Sequence, residues 1–126
     1  MERLDYNIPI VLVEGIFDSI VVRALGLVGI AAMGITMSLV KQKLLYSFAR
    51  RVIAIPDNDT EGQKVVRYDR WGLPLCGSYL QWKGNYNNLD IKDIDLLYRV
   101  YDPQSLQELF QDLFKARNKK IIRISL

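Results

Sequence analysis

Six consecutive residues, Ile8 to Val13, are almost all branched and apolar, which predicts a strand buried on both faces. The run stops at Glu14-Gly15. Ile20, Val21, Ala24 and Leu25 then recur at helical spacing between Phe17 and Leu25, and Gly26 is placed to end that helix. Leu27 to Met33 predicts a second strand. Thr36 or Ser38 is positioned to cap a second helix with Val40, Leu44, Leu45 and Phe48 on one face, closed by Arg50-Arg51. Val52 to Ile55 predicts a third strand, which runs into the turn Pro56-Asp57-Asn58-Asp59. A helix follows from about Thr60, amphipathic from Gln63 to Arg70.

Strand, helix, strand, helix, strand is the order of a parallel sheet covered by helices, with right-handed crossovers. The second half is less regular. Leu75 to Trp82 predicts a fourth strand, Gly84 to Asn88 a polar loop, and Ile91 to Val100 a helix. Asp102-Pro103 starts a further helix, with Leu106, Leu109, Phe110, Leu113 and Phe114 as its apolar stripe. Lys120 to Leu126 predicts a closing strand. No linker or repeat interrupts the 126 residues, so the expectation is a single domain over 1–126.

Composition removes several chemistries. The chain has no histidine, which excludes a Ser-His-Asp arrangement, and its single cysteine, Cys76, excludes an internal disulfide and a cysteine zinc site. Cys76 is expected in the core. The 17 basic against 14 acidic residues give a net charge of +3, a weak pointer towards nucleic acid. No apolar run is long enough to span a membrane, and Met1 to Asp5 lacks the layout of a signal peptide. The expectation is a cytoplasmic protein with no membrane partner.

Two places put carboxylates directly after a buried strand: Glu14-Gly15 with Asp18, and Asp57-Asn58-Asp59 with Gly62. Ligands of open parallel sheets gather outside the carboxyl ends of the strands. If the two strands are neighbours, Glu14, Asp57 and Asp59 converge, and a divalent cation relieves their repulsion. Each cluster alone reads as a loop or a helix cap. The Asp-x-Asp-x-x-Gly spacing is not a calcium loop, because the twelfth position, Tyr68, is no ligand. Gly15 and Gly62 are expected to permit close backbone turns at the site.

The order Glu14-Gly15, Asp18, Asp57-Asn58-Asp59, Gly62 resembles the Toprim family of topoisomerases, bacterial-type primases, recombination proteins and nucleases. Met33 to Ser38 and the segment Lys92-Asp93-Ile94-Asp95-Leu96-Leu97 resemble the primase branch. The resemblance covers about residues 8 to 98. It implies a compact α/β, Rossmann-like domain with a central, mostly parallel sheet flanked by helices. It further implies Glu14, Asp57 and Asp59 as catalytic residues, with Asp18, Asp93 and Asp95 added to them as metal ligands, and Mg2+ or Mn2+ as cofactor.

The implied activity is nucleotidyl transfer that makes RNA primers on a DNA template from nucleoside triphosphates. A replicative helicase or further primase domains are implied partners, in a bacterial or phage-infected cell. A Toprim nuclease or topoisomerase-related module is the alternative, as is a non-catalytic binding domain. Arg50, Arg51, Lys64, Arg67 and Lys92 are the candidates for phosphate contact. The mixture of Arg67, Arg70, Trp71 and Lys83 suits single-stranded nucleic acid, but more often marks a solvated face with its aromatics in the core. The zinc module and basic N-terminal subdomain of full primases have no counterpart in the chain, and Pro56 before Asp57 departs from the family pattern.

Overall fold

The computed structural model describes residues 8–83, 85–86, 89–116 and 119–125. Five strands form one parallel sheet: β1 (Ile8–Val13), β2 (Val28–Ala31), β3 (Ala49–Ile55), β4 (Gly77–Lys83) and β7 (Ile121–Ser125). Among the described residues five helices connect and cover them: α1 (Ile16–Ala24), α2 (Leu39–Tyr46), α3 (Thr60–Tyr68), α4 (Ile94–Val100) and α5 (Pro103–Lys115). A two-stranded antiparallel ribbon, β5 (Asn85–Tyr86) and β6 (Leu89–Asp90), lies within the segment predicted as a polar loop and just beyond it. Gly84, Asn87 and Asn88 of that segment lie outside the described residues.

The strand order is β2-β1-β3-β4-β7. Successive strands are laid to one side of β1 and then to the other, so the order reverses between β1 and β3. Val13 pairs with Ile55 at the carboxyl ends of those two strands. The helices that follow them leave towards opposite faces. α1 packs through Val22 with Val11, Val13, Ile53, Ile55, Leu80 and Trp82, together with α4 and α5. α3 packs through Val65 and Val66 with Ile10, Leu12, Val52, Ala54 and Tyr79 on the other face. Alternate residues of β1 and β3 thus feed two cores, which is why both strands read as unbroken apolar runs.

Capping sets the helix starts. Ser38, Asp59, Asp93 and Asp102 each accept a backbone N–H from the third residue on. Leu106, Phe110 and Leu113 of α5 are buried, as its stripe predicts. Trp71 is fully buried, and its indole N–H donates to the Gly34 carbonyl, so it anchors the core.

Several expectations are corrected. α1 buries Val22, with Leu25 beyond its end, while Ile20 is 52% exposed. α2 has no buried residue: Val40 and Leu44 face solvent, and Leu45 and Tyr46 make its contact with the core. Cys76 is only half-buried. Arg50 and Arg51 do not close α2, because both belong to β3. Arg51 is also unsuited to phosphate contact. It is buried, and its guanidinium donates to the Cys76, Leu113 and Ala116 carbonyls and to Ser78 Oγ. It ties the carboxyl end of α5, where carbonyls lack helical partners, to the sheet. The side chains of Arg50 and Lys83 lie outside the described residues.

Candidate metal centre

The reversal between β1 and β3 falls where open sheets of this kind usually take their ligands, outside the carboxyl ends of the strands. Glu14 leaves β1 there and Asp57 follows β3 after the buried Pro56. Glu14 Oε2 accepts the Asp57 backbone N–H at 3.0 Å, so one acid orients on the turn that carries the other. The loop after β2 closes in from the far side, with the Met33 N–H donating to the Glu14 carbonyl at 3.0 Å.

A third segment completes the surroundings. Asn58 donates through its backbone N–H to the Lys92 carbonyl and through Nδ2 to the Ile91 carbonyl. These bonds dock the Asp57 turn on the entry to α4. Asp18, buried on α1, accepts the Asp95 N–H at 3.1 Å. Sequence patterns alone do not single out Asn58 as a positioning residue; its place inside the Asp-Asn-Asp turn is the available signal.

The electrostatics follow from this packing. Burial raises the Asp57 carboxyl first. The charge of Glu14 and a hydrogen bond with it, then the charges of Asp18 and Asp93, push it further, up to about 7. Asp18 is raised by burial and by Asp93 and Asp95, against the stabilising Asp95 N–H. A divalent cation would reverse the penalty of assembling these groups. The donors are all oxygen, the set that magnesium takes.

The remaining acids have other partners as well. Asp59 Oδ1 accepts the Gly62 N–H at 2.8 Å as the cap of α3, and Asp93 Oδ1 caps α4 through the Leu96 N–H. Asp95 pairs with Arg99 on the surface. Among the described residues, no three carboxylates form a ready-made cage for an ion. Glu14 and Asp57 would offer a magnesium ion two carboxylates, donors of the type it takes.

Beside Asp57, a cleft of about 640 Å³ runs between α3 and the β4–β7 edge. Lys64 and Arg67 line it, whereas Lys92 is an exposed residue outside its lining. Arg123, Gln81 and Trp82 also line it, and no local sequence pattern marks them.

This is a parallel α/β sheet with acidic side chains gathered at its switch point. A family model described as Toprim-like matches residues 11–74, just over half of the chain, and the chain belongs to that family. The fold matches the structure of the DnaG catalytic core with a TM-score of 0.60 at 19% identity. That match covers 82% of this chain and 34% of the other, so this chain spans about a third of that structure's length. No sequence among the curated proteins matches. Among the described residues, no helix is long and apolar enough to cross a membrane.

Proposed function

We propose that this chain is a primase-like Toprim module that supports magnesium-dependent nucleotidyl transfer, with Glu14 and Asp57 as the central ligands. The observation that carries the reading is the juxtaposition of these two acids at the β1–β3 reversal, with Asp57 raised first by burial and then by its acidic neighbours. The bound cation would neutralise the acids and stabilise charge on a reacting phosphate. Glu14 is oriented by the Asp57 N–H, and Asp18 and Asp93 add negative field from α1 and the start of α4. Asp59 caps α3 and Asp95 pairs with Arg99, so neither is a central ligand in this reading.

In this reading the DNA template and nucleoside triphosphates are the substrates, and further primase domains or a replicative helicase supply what this module lacks. The match to about a third of the DnaG core supports that division. The test is primer synthesis on single-stranded DNA by the protein with its partner domains, in Mg2+ or Mn2+. Asp57→Asn is expected to abolish product and to weaken Mn2+ binding measured by calorimetry. Unchanged product from Asp57→Asn would overturn the reading. Magnesium-dependent strand cleavage without nucleotides would replace it with a nuclease.

A further inference from the structure

We propose that the outward face of α2 docks a partner protein through a short amphipathic helix, apolar along its centre and acidic along its margins. One side of α2 is committed to the domain. Gln42 Nε2 donates to the Met37 carbonyl, the Tyr46 hydroxyl donates to the Trp71 carbonyl, and Leu45 and Tyr46 reach the core. The opposite side carries Val40 and Leu44, one turn apart and 78% and 65% exposed. Lys41 and Lys43, both exposed, flank that pair. The apolar character continues past the helix. The Cys76 thiol lies 3.9 Å from the Ala49 carbonyl, so the loop bearing the fully exposed Leu75 sits beside the exit of α2. Scattered exposed apolar residues are ordinary, but neighbours gathered on one helical face mark a contact surface.

Charge decides the occupant. From Ser19 to Pro56 the chain has five basic residues and no acidic one. Lys41 Nζ donates to the Ala32 carbonyl at 3.2 Å, which leaves its charge uncompensated. Neither Lys41 nor Lys43 meets a carboxylate among the described residues. A second copy placed symmetrically on this face would bring the lysines of both copies together, which repels. A nucleic-acid backbone would leave the Val40–Leu44 ridge without an apolar partner. A bilayer would gain little, because α2 has only about two turns and two lysines. A helix with apolar side chains between acidic ones matches both features: the ridge seats between its side-chain rows, and its acids meet the flanking lysines. The surface lies on the α3 side of the sheet and uses none of the acids of the metal centre. The inference therefore stands apart from the magnesium reading.

The test is fluorescence anisotropy of a labelled synthetic helix of about 16 residues, with leucine at helical spacing and glutamate elsewhere, titrated with the full chain. A peptide of the same composition in scrambled order is the control. The double variant Val40→Ser, Leu44→Ser is expected to bind the patterned peptide at least about tenfold more weakly. Its thermal midpoint should not change, because both side chains already face solvent. Lys43→Glu is expected to weaken binding about threefold at about 50 mM salt and to flatten its salt dependence. No binding of the patterned peptide, equal binding of the scrambled one, or wild-type affinity in the double variant would overturn the proposal. A dimer in sedimentation that the double variant abolishes would overturn it in favour of a second copy. Binding to phosphatidylserine vesicles that the double variant loses would overturn it in favour of a membrane.

Discussion

At the end of β1 the chain leaves the sheet through Glu14-Gly15 with room to spare. A Cβ on Gly15 would lie 3.6 Å from its nearest neighbour, Asp18 Oδ2, and the residue's φ of −111° is open to any side chain. At the end of β3 the turn folds back on itself. A Cβ on Gly62 would fall 1.7 Å from the Asp57 carbonyl oxygen. The first turn thus tolerates a side chain, while the second has its glycine imposed by close approach. The tight turn also carries the raised acid, the α3 cap and the bonds of Asn58 to the entry of α4. The backbone is most constrained where the carboxylate is hardest to ionise.

The largest effect is expected from Gly62→Ala. Its Cβ must displace backbone, at a cost of about 3 kcal/mol or more, read as a lower denaturation midpoint. The next concerns Asp57. Its native pKa of about 7 lies above the ordinary 3.8, so between those values the folded state holds a proton that the unfolded state has lost. The group therefore leaves stability intact at low pH and subtracts from it as pH rises through that window. Partial solvation reduces the effect to about 1–2 kcal/mol. Asp57→Asn should flatten that slope and raise the thermal midpoint at about pH 8 without metal.

Asp59→Ala should cost about 1 kcal/mol through loss of the α3 cap, whereas Asp59→Asn should retain most of the stability. Weaker Mn2+ binding by Asp59→Asn at unchanged stability would assign it a ligand role. Gly15→Ala should have the smallest effect, within about 0.5 kcal/mol, because a poorer cap offsets a less flexible unfolded chain. A large loss there would break the contrast between the turns.

The apolar runs around Val11 and Ile53 and the strand-end acids made the sheet and its family legible. The α2 pattern misled because Val40 and Leu44 share a helical face that no element of the described structure covers. Arg51 misled because adjacent arginines at a helix-strand junction look solvated, and only the arrival of α5 shows what Arg51 binds. Arg123 and Trp82 carried no local signal, since a cleft is a relation between strands distant in sequence.

By itself the sequence determined the alternation of strands and helices, the positions of the acids at strand ends and the capping residues, because these depend on local periodicity and short-range hydrogen bonds. The tertiary structure alone decided that β1 and β3 are neighbours, that Asp57 is raised and that Arg51 is buried. Those properties arise from burial and from charges brought together across long stretches of chain, which no local pattern encodes.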